Sequence, residues 1–148
     1  VIAAYGDVKR DLAKTVPERL LNLNMDATLV MPGVIAVNAI AYNTNALQSS
    51  LAGQGEALLE QEGVVMMIRT EDPTWMASDL NNFLWAAFTR TNPSHDIEAI
   101  DAFTTNKHWG AKGPLVFDAT IKPHHAPPVL KDAAVEKRVD AILEKYGY

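Results

Sequence analysis

The sequence predicts an α/β fold, a single layered domain in which a β-sheet is packed by helices, and three observations predict it. The run Val64-Val65-Met66-Met67-Ile68 is continuously apolar and of strand length, as a central strand covered on both faces requires. Thr28, Val30, Val34, Ile35, Val37 and Ile40 crowd the segment 25–42 with β-branched side chains around a Pro32-Gly33 turn, the composition of paired strands. Leu80, Phe83, Leu84, Ala87 and Phe88 recur at helical spacing and stop before Asn92-Pro93, where proline disfavours helix in the residue before it.

Taken in order, Val8 and Leu12 with Ala4 recur at helical spacing, and Thr15-Val16-Pro17-Glu18 has capping-box form, so a short amphipathic helix is expected near the start. Strands follow at 26–31 and 34–42. Leu47, Leu51 and Leu58 with Ala46, Ser50 and Ala57 share one face of a helix over 45–62, and Gly63 stands where a left-handed residue would end it. The strand 64–68 is terminated by Asp72-Pro73, and Ser78 is placed to cap the helix that carries the 80–88 stripe. Short strands at 97–100 and 115–117 frame a Gly/Lys-rich loop from Asn106 to Gly113. Pro123, Pro127 and Pro128 predict an extended connector. Asp132 then caps a last helix whose apolar face is Val135, Val139, Ile142, Leu143 and Tyr146, with Gly147 at its end.

A chain of 148 residues fits one domain, 1–148, large enough to bury roughly 70% of the surface that the unfolded chain exposes. With 48% hydrophobic and 21% charged residues, 8 Gly and 8 Pro, it has the composition of a globular protein. A formal charge of −5 argues against a phosphate-tracking surface and so against nucleic acid as a partner. The absence of cysteine excludes disulfides, a thiolate nucleophile and thiolate-ligated metals. The longest apolar run, Val34 to Tyr42, is broken by Asn38 and falls short of the ~20 residues of a membrane-spanning helix. Residues 1–16 carry Asp7, Lys9, Arg10, Asp11 and Lys14 without an apolar core, so no secretory signal is expected and a soluble, cytoplasmic protein is.

Trp85-Ala86-Ala87-Phe88-Thr89-Arg90-Thr91-Asn92-Pro93-Ser94-His95-Asp96, followed by Phe117-Asp118-Ala119-Thr120-Ile121-Lys122-Pro123, resembles the C-terminal domain of the UbiD-type decarboxylases. In that family the first segment reads Trp-Ala-X-X-Thr-Arg-X-X-Pro-X-X-Asp. Ala27-Thr28-Leu29-Val30 and the strand through Tyr42 stand in the place of the domain's first two strands, and Val139-Asp140-Ala141-Ile142 in that of its final helix. The chain departs from the family in two places: Arg69-Thr70-Glu71-Asp72-Pro73-Thr74-Trp75 replaces an aspartate-rich turn, and the segment before the helix at 45–62 lacks the lysine often found there.

The resemblance implies a mixed β-sheet packed by helices, without the family's larger flavin-binding domain. It implies a reversible loss of carbon dioxide from an aromatic or conjugated carboxylic acid. Prenylated FMN, with a divalent metal and with or without K+, would be held by a UbiD-like flavin-binding partner subunit in a hetero-oligomer. This chain would then be a component of a decarboxylase or carboxylase complex, with no catalytic acid, cofactor ligand or metal ligand of its own. Its share would be one wall of the substrate pocket, made by Thr28 and Val30 on the first strand and by Asn106, His108 and Trp109 on the loop after Asp101, together with an oligomer interface. A non-catalytic assembly or regulatory subunit is the alternative, and a segment of a longer polypeptide a third reading.

Other residues invite plainer explanations. Trp85 is expected to fill packing space, and Arg90 to cap its helix or to pair with Asp96. His124-His125 lies in an extended stretch that sends adjacent side chains to opposite sides, a poor start for a metal site. Gly53-Gln54-Gly55-Glu56 lacks the Lys-Ser/Thr ending of a phosphate loop, and no GxSxG elbow supports a hydrolase.

Overall fold

Pro17 opens the first helix, α1 (Glu18–Asn22), directly after the capping-box sequence, and Leu20 is its buried residue. The computed structural model describes residues 11–22, 26–39, 63–126 and 132–147. The expected helix at 45–62, residues 40–42 of the second strand and most of the 4–12 stripe lie outside the described residues.

Strands β1 (Ala27–Met31) and β2 (Val34–Asn38) form a hairpin around Pro32-Gly33. Gly33 has φ +80°, and a Cβ there would stand 2.9 Å from Leu12 Cδ2 and 3.2 Å from the Gly63 carbonyl, so the turn takes only glycine without rearrangement. Its N–H donates to the Ala13 carbonyl at 2.9 Å, while Ala13 N–H donates to Gly63 at 2.9 Å. These bonds bind the segment before α1 to the base of the sheet.

β3 (Met66–Thr70) realises the apolar run, shifted two residues toward the polar Arg69 and Thr70. It runs parallel to β2 and to β7 (Leu115–Asp118), and β4 (Ile97–Ala99) closes the far edge antiparallel to β7. The order β1-β2-β3-β7-β4 makes a mixed sheet, as the resemblance implied, and its centre is parallel and its edges antiparallel. Each face covers a core. Leu20, Val64 and Ile100 pack with Ile35, Val37, Met67 and Val116 on one side. On the other, Val34, Ala36 and Ile68 meet Met76, Phe83, Ala86 and Ala119.

That second layer is two helices where one was expected. Asp72 accepts from Trp75 N–H at 2.8 Å and starts α2 (Pro73–Ser78), and Asp79 accepts from Asn81 N–H at 2.7 Å and starts α3 (Leu80–Arg90). Ser78 therefore ends a helix and does not cap one. The stripe is also rotated: α3 buries Phe83 and Ala86, whereas Leu80, Leu84 and Phe88 face outward, Phe88 at 80% exposure. Apolar residues surround so much of this helix that spacing alone does not select the buried side.

The loop expected at 106–113 is instead a ribbon of β5 (Ala102–Thr105) and β6 (His108–Ala111). Asn106 and Lys107 join its strands with φ values of +51° and +66°, the two left-handed residues of a type I′ hairpin. Phe103 lies over Gly110, whose absent Cβ would stand 2.7 Å from the ring. α4 (Ala133–Tyr146) is capped by Asp132 and ended by Gly147 at φ +75°, as expected, but all its residues are exposed, the apolar face included.

Candidate functional site

Because β3 and β7 are parallel and paired Arg69 to Asp118, their polar ends emerge together, the position at which open α/β sheets place ligands. Asp118 is buried there. Its Oδ2 accepts from Arg69 Nη1 at 3.0 Å, and its Oδ1 from the Thr120 N–H and hydroxyl at 3.0 and 2.6 Å. Lys122, only 3% exposed, sends Nζ to the carbonyls of Asp118 and Arg90 at 2.6 and 2.8 Å, with Asp96 Oδ2 at 3.3 Å. Asp96 in turn accepts from the Asn92 N–H at 2.7 Å. One ammonium thus ties the end of α3, the end of β7 and the turn after Pro93 together.

Outside this network Glu71 bridges the same elements, accepting from Ile121 N–H at 2.6 Å and pairing with Arg90 Nη1 at 3.3 Å. The Arg90 guanidinium lies 5.0 Å from the centre of the Trp85 ring, and Trp75 meets that ring edge-on at 6.1 Å. Arg90 therefore pairs with Glu71 and not with Asp96, whose carboxylate Lys122 takes. Trp85 is 53% exposed, so it is not the packing residue expected. Trp85, Thr89, Arg90, Ile121, His125 and Ala126 line a cleft of about 200 Å³.

His125 is the imidazole of the cleft. Its Nδ1 accepts from Lys122 N–H at 3.1 Å within a turn in which His125 N–H donates to the Lys122 carbonyl at 2.9 Å. The two histidine rings meet edge-to-face at 4.8 Å, so 122–125 is a turn and not the extended stretch expected. Burial holds His125 below the ordinary imidazole value of 6.5, and His124, Lys122 and Arg90 push it the same way against Asp96. A depressed imidazole stabilises the fold above pH 6.5, and that contribution is lost as pH falls through the folded-state value. Urea unfolding from about pH 7.5 to about pH 5 should therefore show a decline that His125→Asn, which keeps an acceptor for Lys122 N–H, makes shallower. Equal slopes would remove His125 as its source.

Of the residues expected to face a substrate, Thr28 and Val30 are half-buried on β1, Val30 against the core beneath α2. Asn106 forms the tip of the ribbon, and His108 and Trp109 are exposed on β6, Trp109 at 60%. β1 and β4 are opposite edges of the sheet, and the ribbon follows β4. None of the five lines the cleft. Arg69, Glu71, Asp118 and Lys122 had no assigned role in the sequence, and Asp96 only that of a partner for Arg90, although Asp118-Ala119-Thr120 at a strand end has the spacing of a carboxylate that caps its own turn. Among the described residues no group of three or more His, Asp or Glu is spaced to hold a metal, and no helix is long and apolar enough to cross a membrane.

No family model matches the chain. An uncharacterized protein of Chlamydia muridarum is 27% identical over 120 residues, covering 78% of this chain and 21% of that protein. One from Chlamydia trachomatis serovar D is 25% identical over the same shares. The chain thus spans about a fifth of the length of the curated relatives it matches. Among solved structures, the closed form of vanillic acid decarboxylase (ShVdcCD) from Sedimentibacter hydroxybenzoicus aligns with 88% of this chain and 30% of its own, at TM-score 0.51 and 15% identity. An evolved dimeric form of the UbiD-class enzyme HmfF from Pelotomaculum thermopropionicum, in complex with prFMN, aligns with 80% of this chain and 26% of its own, at TM-score 0.45 and 14% identity. The vanillic acid decarboxylase comparison shows a fold shared with part of that chain.

Proposed function

We propose that this chain is the C-terminal-domain unit of a UbiD-like decarboxylase or carboxylase, working on an aromatic or conjugated carboxylic acid against a flavin-binding partner subunit. The observation that carries the reading is the coincidence of fold and motif. The Trp85 to Asp96 and Asp118 to Lys122 segments meet in one buried network, inside a fold shared with part of a decarboxylase chain.

Chemistry within the chain supports this division of labour. The carboxylates of Asp96 and Asp118 are engaged by Lys122, Arg69 and local N–H groups, which supports a structural role for them. A flavin phosphate fits the described residues poorly, because Asp72, Asp79 and Asp132 already fill the N-termini of α2, α3 and α4 with carboxylates, which repel another anion. Prenylated FMN, with its metal and with or without K+, would supply the bond change from the partner. This chain would supply shape and exclusion of water: Trp109 as an apolar plate, Asn106 and His108 as polar anchors, Thr28 and Val30 from the opposite edge.

The test is turnover in the native assembly. Trp109→Ala should lower carbon dioxide release about tenfold or more while the flavin spectrum and the complex persist. Unchanged turnover and substrate affinity would refute the wall assignment, and this chain isolated with its own flavin and activity would refute the division of labour. The exposed apolar face of α4 favours a second reading, an assembly or regulatory subunit. Under it, Trp109→Ala is silent and Ile142→Asp dissociates the complex.

A further inference from the structure

We propose that the cleft between the end of α3 and the 121–126 turn binds a small planar monocarboxylate, its ring against Ile121, Ala126 and Trp85 and its carboxylate between Arg90 and His125. The proposal starts from donors without acceptors. A guanidinium carries five N–H groups. Arg90, with its side chain 16% exposed, gives one to Glu71, and no other acceptor meets it among the described residues. His125 uses Nδ1 to accept from Lys122 N–H, which places the proton of the neutral ring on Nε2, and that N–H likewise has no acceptor among the described residues. Both groups line the same cleft. Donors without acceptors that line one cleft call for a ligand or ordered water.

The surroundings decide what kind of ligand. Trp85, Ile121 and Ala126 make the remaining walls largely apolar, which favours a hydrocarbon body, and about 200 Å³ is below the 300–1,000 Å³ typical of drug-sized sites, leaving space for a single ring. A carboxylate matches the planar edge of a guanidinium with two parallel bonds. The neighbouring ion pairs set Arg69, Arg90 and Lys122 against Glu71, Asp96 and Asp118, so the fixed charges balance. Attraction then comes from directed hydrogen bonds to one negative charge, and a dianion such as phosphate gains no excess positive field. None of Thr28, Val30, Asn106, His108 or Trp109 lines this cleft, so the inference stands apart from the proposed wall.

The test is a binding titration on the full chain, with benzoate as the probe, benzamide as its neutral counterpart and inorganic phosphate as the dianion, read at the Trp85 indole and the His125 imidazole by NMR. Benzoate should give saturable shifts at both residues, benzamide should bind about tenfold more weakly or worse, and phosphate should leave both unmoved. Bound benzoate should also raise the pH at which His125 titrates, because a carboxylate stabilises the imidazolium. Arg90→Lys should weaken benzoate about tenfold by removing the planar fork. Ala126→Trp should do the same by filling the cleft while the Arg90 and Glu71 pair stays intact. No saturable shift with benzoate, equal binding of benzamide, tighter binding of phosphate, or unchanged affinity in Ala126→Trp would each overturn the proposal.

Discussion

Lys122→Met is expected to cost about 3–5 kcal/mol of folding stability, because removing one member of a buried ion pair leaves the other uncompensated. The methionine nearly preserves the volume of the stem but deletes the Nζ that lies 3.3 Å from Asp96 and donates to the carbonyls of Asp118 and Arg90. Asp118 would keep Arg69, whereas Asp96 would lose the cation that meets it among the described residues and the Arg90 carbonyl would lose its bond to Nζ. Urea unfolding of the two proteins measures the difference. Adding Asp96→Asn to Lys122→Met should recover part of the loss, since the two residues share one interaction and their effects do not add. A loss below about 1 kcal/mol would mean that this lysine behaves as a surface ion pair does, contrary to its burial. Because Nζ also holds the last carbonyl of α3, that of Arg90, the same substitution should loosen Arg90 over Trp85, which indole fluorescence would register.

Ile68→Ala should cost about 2–5 kcal/mol, the usual range for deleting a buried aliphatic side chain and leaving a cavity. Ile68 is fully buried, paired with Ala36 on one side and Phe117 on the other, and packed beneath Met76, Phe83 and Ala86. Ala36 and Ala86 are too small to close the gap. At this chain length each kcal/mol corresponds to about 2–4 °C in Tm, so calorimetry should register a large drop. A small one would show that α2 and α3 settle onto the sheet, and the Trp85 environment would then shift in fluorescence.

Residues that answer to local chemistry were legible in the sequence. Pro32-Gly33 marked the first hairpin, 64–68 located the central strand to within two residues, and Asp132 and Gly147 bounded the last helix. What stayed hidden depends on partners distant in the chain. Arg90 had Asp96 as its nearer candidate, yet Glu71 reaches it from 19 residues away and Lys122 takes Asp96. The rotation of α3 could not be chosen from a helix with apolar residues on several sides. Asn106-Lys107 escaped notice as a turn because lysine seldom accepts the left-handed conformation that Asn-Gly signals. The resemblance named the motif segments, but only the fold shows that they meet around a single ammonium.

Parallel neighbours in this sheet come from remote stretches of the polypeptide: Arg69 meets Asp118 across 49 positions. Adjacent parallel strands cannot close through a tight turn, so the second edge of β3 stays open until β7 has been made. A ribosome must release Asp118 to Lys122 before the middle strand is flanked on both sides and its carboxylate finds a cation. Nascent chains stalled ahead of Leu115 should remain protease-sensitive, and those that have cleared Lys122 should acquire resistance in one step, making assembly nearly all-or-none for the elements that frame the cleft.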